Sequence, residues 1–429
     1  PPAQPVFPGR AMAQIVGGIG VSHTPTIGFA VDRDLEGDPS WTPVFKNLRE
    51  VRDWVVDRDV DVLFVIYNDH VTSFFFDHYS AFALGVDDTY QPADEGGGAR
   101  DLPPISGHAD FARYIGHSLM AEEFDLAFFR DRPLDHGCFS PLSLVNMTGK
   151  QWIVPIVPLQ VGVLQYPIPT ARRCYRLGRA LRRAVLSYPE DIRVAVVGTG
   201  GLSHQVHGER SGFNNPDWDM EFLELIEKDP EAITRMTHAE LALRGGAESV
   251  EIIMWLVMRG ALSDNVSRVQ QSYYLPSMTA IATLVLDDEG EAAQDGKAAV
   301  DAYEQLHGLD AVPGTYPFSL ERLASAYRLN AFLHELIDPA WRARFRENPE
   351  RHMEEAGLGS VDRDLILRSD WRGLIHRGAT FFVLEKLGVV TGVGNLDIYA
   401  GMKDITIEEM LATRNEQITY SVAGKSSSS

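Results

Sequence analysis

Four short, uninterrupted apolar runs constrain this chain more than any other feature. They span Gln14–Val21, 60–67, 152–157 and 194–199, are rich in Val and Ile, and are each followed closely by Gly, Pro, Asn or His. Such a run has no polar face, so as a strand it must be covered on both sides. Helix-period segments over 43–57, 111–122 and 169–187 lie between the runs and supply that cover. The alternation predicts an α/β part with a central sheet flanked by helices.

The period changes downstream. From 287 to 314 the chain is acidic, rich in Gly and Ala and nearly free of large apolar residues before Tyr303, which reads as a linker. Beyond it, 320–337, 339–348, 362–369 and 371–390 are helix-like. Asp338 before Pro339 is an N-cap followed by Pro at the first helical position, and Thr406 with Glu409 has capping-box spacing. This part should be all-α, ending in an irregular tail over 415–425 that carries Tyr420. The expected division is 12–286, 287–314 and 315–425, with residues 1–11 and the serine run 426–429 as additions.

Composition removes several classes of function. With 39 Lys plus Arg against 60 Asp plus Glu, the net charge is −21, whereas a nucleic-acid surface needs clustered cations against phosphate. Nucleic acid is therefore not an expected partner. Cys138 and Cys174 are the only cysteines, which excludes a disulfide framework or a zinc ribbon. The uncharged stretch 151–171 contains Pro155, Pro158, Pro167 and Pro169, so no membrane helix is expected there. Residues 1–11 lack the apolar core of a secretory leader, and a cytoplasmic location is expected. Gly17-Gly18-Ile19-Gly20 lacks the third glycine of a dinucleotide fingerprint. Arg172, Arg176, Arg179 and Arg183 share one helix face and read as a solvated row, and Phe74-Phe75-Phe76 reads as core.

The histidines are more informative. His23, His70 and His204 each follow an apolar run, and His136 sits in a Gly-containing loop before another. Alone, a histidine near a strand end is more often a hydrogen-bonded structural residue than a ligand. Ligands of open α/β sheets, however, bind at the carboxyl ends of strands, where three such imidazoles would converge. His78, His108, His117, His238, His307, His352 and His376 keep the structural reading, and His207 is ambiguous. Within the apolar helix expected over 248–258, Glu251 shares a face with Met254, Trp255 and Met258. A carboxylate there is costly unless paired or metal-bound. It could instead reach Arg259 or the surface, and Glu248 competes for the ligand role. Two histidines and one carboxylate form the facial set of non-haem Fe(II) sites, though spacing does not separate Fe(II) from Zn(II) or Mn(II).

These residues lie in segments that carry a resemblance: VSHTPTIGF (21–29), YNDHVTSFFFDHY (67–79), LDHGCFSPLS (134–143), GTGGLSHQVHGERSGFNN (198–215), EIIMWLVMRGAL (251–262), YYLPSMTAIA (273–282), GNLDIYA (394–400) and ITYSVAGK (418–425). The chain resembles the class III extradiol aromatic-ring dioxygenases of the protocatechuate 4,5-dioxygenase type over nearly all of 12–425. The resemblance implies an α/β catalytic domain followed by an all-α domain like the small subunit of that enzyme, fused here. It implies Fe(II) on His23, His70 and Glu251, His204 as the base and His136 as a second active-site histidine. Thr279, Tyr399 and Tyr420 would contact the substrate. It further implies ring cleavage by O2 of an aromatic acid, gallate, with protocatechuate or 3-O-methylgallate as alternatives. A homo-oligomer is expected, a dimer with Tyr420 reaching the neighbouring pocket. Against the net charge of −21, an anionic substrate needs a locally positive pocket, expected from the metal and an arginine. A non-catalytic binding protein or a zinc hydrolase on the same site are the readings of other classes.

Overall fold

The computed structural model describes residues 13–290 and 308–412, apart from 319. Its centre is an eight-stranded mixed sheet: β1 (Gln14–Val21), β2 (Val62–Tyr67), β3 (Phe82–Gly85), β4 (Ala127–Phe129), β5 (Ile156–Val161), β6 (Arg193–Thr199), β7 (Val266–Tyr274) and β8 (Ile281–Asp288). The order is β7-β8-β1-β6-β2-β5-β3-β4. β1, β6, β2 and β5 are mutually parallel, so their carboxyl ends reach one edge together. Every residue of β2 and β5 is buried. Each such Val, Leu or Ile contributes about 1.5–3 kcal/mol, which is why the apolar runs occupy the middle of the sheet.

Three of the four runs lie where the sequence placed them. The run expected at 152–157 instead forms β5 at Ile156–Val161, preceded by a two-residue strand, Gln151–Trp152. The short β3 and β4 and the β7–β8 hairpin were not anticipated. β7 is a half-exposed edge with polar side chains and carries no continuous apolar run. β8 runs through Asp287 and Asp288, where Arg58 and Arg182 meet the two carboxylates.

Helices cover both faces. α1 (Pro25–Asp32), α2 (Thr42–Asp57) and α4 (His136–Val145) pack on one side; α3 (Ala109–Ala121), α5 (Ala171–Leu186) and α6 (Ile253–Ala261) pack on the other. The glycine run of β1 serves this packing. A Cβ on Gly20 would lie 2.3 Å from the Trp255 ring, and one on Gly18 2.4 Å from the Met258 sulfur. The arginine row of α5 is only partly solvated: Arg183 is exposed, but Arg179 is buried and pairs with Asp264 at 2.7 Å. That row therefore braces the fold.

The second part is helical, as expected. Asp338 accepts from Trp341 N–H at 2.8 Å, and Thr406 and Glu409 form the reciprocal capping box. The helix expected over 371–390 is two helices, Trp371–Arg377 and α7 (Phe381–Thr391), because Gly378 ends the first at φ 109°. α8 (Asn395–Lys403) follows. The core of this part includes Val71, Phe76, Val206 and Met278 from the sheet-bearing part, so the helices sit over the carboxyl edge. Phe76 packs on Phe318, and Phe74 on Phe129, in keeping with a core role. No described helix is long and apolar enough to cross a membrane.

Candidate metal centre and its cavity

β1 delivers His23, β2 delivers Asn68 and His70, and β6 leads through Gly200 and Gly201 to His204. Opposite them, Glu251 sits on a 3-10 turn, Glu248–Ile252, where a continuous α-helix was expected. The turn aims its carboxylate into the crevice, away from the face of Trp255. Glu251 Oε2 lies 3.3 Å from His23 Nε2, and Oε1 lies 3.6 Å from His70 Nε2. Bonds from imidazole or carboxylate to a divalent first-row metal run about 2.0–2.2 Å, which sets neighbouring donors about 3–3.5 Å apart.

The donor set fits an ion. The three side chains are buried, and their ligating atoms lie within 4.8 Å of one another. His23 Nδ1 bonds Thr199 Oγ1 at 2.9 Å, which turns Nε2 inward, where it is buried and makes no hydrogen bond. His70 Nδ1 donates to Asp135 Oδ2 at 2.8 Å, which turns its Nε2 inward too. Asn68 Nδ2 and Gly201 N–H donate to the two oxygens of Glu251 at 3.3 and 3.1 Å. A second cluster, His70, Asp135 and His136, fits less well: Asp135 already accepts from His70 N–H and Gly137 N–H as well as the ring.

Burial by itself would raise Glu251, but His23 beside it and the donors around it hold its carboxyl well below the usual range. Burial lowers His23. It would lower His70 as well, yet Asp135 holds it well above its ordinary value. Asp135 itself, despite burial, is pulled down to about 2 by His70. The readings in which Glu251 reached Arg259 or the surface are overturned: Glu251 is buried, and Arg259 bonds Ser263 O. Glu248 accepts from Val206 N–H and stands outside the donor set.

The crevice opens into a cavity of about 250 Å³. His204 lines it, its Nδ1–H donating to Leu202 O at 2.9 Å so that Nε2 is the free nitrogen, 3.8 Å from Glu251 Oε2. His136 lines it and stacks on His70, ring centroids 3.9 Å apart. Thr279 and Tyr399 are at its wall, with Tyr399 stacked on Phe381. The helical part closes the cavity with Phe381, Phe382, Glu385 and Tyr399, and Phe382 meets the His70 ring edge-on at 4.9 Å. The expected arginine is not there: no described residue lining the cavity is Lys or Arg. Tyr420 lies outside the described residues.

Sequence reasoning missed Thr199, Asn68, Asp135, Glu95 and Glu385. Asn68 and Asp135 stand beside site histidines, a signal that could have found them. Glu95 lies in ADEGGG (93–98), a segment that carries the same resemblance, whereas Glu385 comes from a helix distant in sequence and carries no such signal. Of the other histidines, His108 caps α3, His238 Nε2–H donates to Pro169 O at 3.1 Å and His376 meets Glu209 at 2.6 Å, while His307 lies outside the described residues. His207 is half-buried next to Tyr316 and lines a small cavity shared with Glu248 and Glu251.

Residues 17–285 match the family described as the catalytic LigB subunit of aromatic ring-opening dioxygenase, and residues 329–415 match the LigA subunit of aromatic-ring-opening dioxygenase LigAB. The gallate dioxygenase of Pseudomonas putida is 60% identical over 78% of this chain and 99% of its own length. The 2,3-dihydroxyphenylpropionate/2,3-dihydroxicinnamic acid 1,2-dioxygenase of Photorhabdus laumondii is 26% identical over 64% of this chain and 97% of its own.

Proposed function

The chain belongs to the aromatic ring-opening dioxygenases, with LigB-type and LigA-type parts in one polypeptide, and on that premise we propose that it opens the ring of gallate with O2, held at an Fe(II) site. The observation that carries this reading is the inward-facing donor set of His23, His70 and Glu251 at the floor of a cavity with a free His204 nitrogen. The 60% identity to a gallate dioxygenase selects the substrate. The matched segments support a catalytic domain over 12–286, a linker over 287–314 and a helical domain over 315–425.

His23, His70 and Glu251 would hold the ion. The chemistry that Fe(II) bound there would supply is a meeting point for an aromatic diol and O2 and a spin-allowed route between them. The rest falls to the protein. His204, with Nδ1–H committed to Leu202, takes a hydroxyl proton on Nε2, and imidazole suits that task near neutral pH. His136 faces the ring from the His70 side. Thr279 and Tyr399, joined by Tyr420, contact the carboxylate and hydroxyls. With no Lys or Arg among the described residues that line the cavity, the positive charge that the anionic substrate requires would come from the bound ion. The aromatic cover from α7 keeps bulk water from the reacting groups. A cytoplasmic homodimer completes the reading, and light scattering of the purified protein tests the dimer.

The test is oxygen uptake by anaerobically Fe(II)-loaded protein given gallate, protocatechuate and 3-O-methylgallate, with iron assayed on the same sample. One O2 consumed per gallate, with loss of the aromatic absorbance, is expected. Preference for another of the three acids would replace the substrate. Bound iron without uptake on any of them would overturn the activity.

A further inference from the structure

Of the two stacked imidazoles at the sheet edge, one is backed by a carboxylate that has no task in the scheme above. Glu95 belongs to the loop 93–98, and both of its oxygens are taken by His136. Oε1 accepts from the His136 backbone N–H at 2.8 Å and Oε2 from its ring Nδ1–H at 2.5 Å. A carboxylate with these two partners only accepts, so Nδ1 carries a hydrogen and Nε2 is the nitrogen left for the cavity that His136 lines. The clamp also fixes the plane of the ring that stacks on His70.

The loop is itself held at both ends of its turn. Asp94 Oδ1 accepts from Gly96 N–H at 2.8 Å and Gly98 N–H at 2.9 Å, and both glycines adopt φ near +100°, where a side chain would be strained. The other Asp94 oxygen faces Arg342 of the helical part at 3.7 Å. Arg342 is anchored in turn by the carbonyls of Leu336 and Ile337, at 3.0 and 2.6 Å. Glu95 therefore reaches His136 on a loop tied to the helical part.

We infer that Glu95 is a positioning residue for His136: it sets which imidazole nitrogen faces the substrate and the angle at which it does so. The inference rests on the reading of His136 as a group that meets the substrate. Glutamine is a sharp probe because it keeps the shape of Glu95 and exchanges one acceptor for a donor. Whichever way its amide turns, a donor then faces either the backbone N–H or the ring Nδ1–H. The ring must turn, or its hydrogen must move to Nε2.

The experiment compares Glu95→Gln, His136→Ala and the double variant in the full chain, loaded with Fe(II) without air. It adds imidazole nitrogen NMR spectra of the metal-free proteins, the His136 signals being those absent from His136→Ala. For Glu95→Gln, iron content unchanged, KM for gallate within about threefold, and kcat down by about tenfold or more are expected. Its His136 signals should lose the Nδ1-protonated pattern, and the double variant should be no slower than His136→Ala. Unchanged His136 signals, a kcat within about twofold of the parent, or losses that multiply in the double variant would each overturn the inference. If His136→Ala itself turns over normally, it is the reading of His136 as a substrate-facing group that fails, and the NMR signals still decide whether Glu95 sets the ring.

Discussion

His70 and His136 are built alike and face different surroundings. Each imidazole gives its Nδ1–H to a carboxylate that also accepts its backbone N–H, and the two rings stack face to face. The difference is in what lies behind and ahead of them. Asp135 is fully buried and has further donors, whereas Glu95 keeps nearly a third of its side chain in solvent. Ahead of His70 Nε2 stands Glu251, only 3.6 Å away, and ahead of His136 stands open cavity. On the proposed function, one carboxylate–imidazole device would serve a metal ligand where a second anion closes the site and a cavity-facing imidazole where none does.

The sharpest way to break this comparison is to remove each ring in turn. His70→Ala should lower metal affinity by more than about 100-fold and abolish turnover with it, because a donor is gone. His136→Ala should keep one iron per chain and lose turnover alone. Metal analysis after dialysis against a weak chelator decides the point, and equal loss of iron in both variants would mean the second cluster, with Asp135 and His136, is the ion's true home.

Next in size is the support behind the ligand. Asp135→Asn leaves the His70 ring without its anionic acceptor, and second-layer partners of this kind are worth about 10–100-fold in metal affinity. Breaking a buried charge pair also costs about 3–5 kcal/mol of folding stability. Chelator competition and urea unfolding should show both losses. The same change at the half-exposed Glu95 should leave metal affinity unaltered.

Which parts of this were readable beforehand follows from how far each signal travels along the chain. His23, His70 and His204 could be placed because each lies within a few residues of an apolar run that can only be a buried strand. Glu251 was legible as the one acid on an apolar face, although its 3-10 turn was not, since that geometry depends on Gly200 and Gly201 passing beneath it. β7 was invisible because an edge strand with one wet face carries no continuous apolar run, whereas β8 does carry one over 281–286 and was legible. Phe382 and Glu385 reach the cavity, and Glu95 reaches His136, through tertiary packing. Nothing in the immediate neighbours of Phe382 and Glu385 distinguishes them from surface or core.

A smaller effect appears in the metal-free protein as pH changes. Asp135 titrates at about 2 in the fold against 3.8 ordinarily, because the His70 cation favours its charged form more than burial opposes it. A depressed acid contributes stability above its unfolded value and loses it as pH falls through its folded one, here between about 4 and 2. His70 is raised by the same pair, so its share is present below 6.5 and fades as pH climbs past its elevated folded value. Urea unfolding in chelator should therefore show a stability plateau between these limbs. In Asp135→Asn the acid limb should flatten, and an unchanged limb would mean another carboxylate is responsible.

The last and smallest test concerns the residue next to His136. Gly137 must pass close to the β2 exit, where a Cβ would lie 2.3 Å from Asn68 O, 3.0 Å from Asp135 Oδ1 and 3.3 Å from the His70 ring. The first contact is backbone and cannot yield by a rotamer change, so Gly137→Ala should cost about 1–3 kcal/mol by overpacking. The strain falls on His70 and on Asn68 and Asp135 behind it, and leaves the Glu95 clamp on His136 untouched. Metal affinity should weaken by less than in Asp135→Asn, while the His136 imidazole signals stay as in the parent. If those signals shift as well, the two rings move as one stacked unit, and the separation of ligand from cavity-facing histidine is narrower than their partners imply.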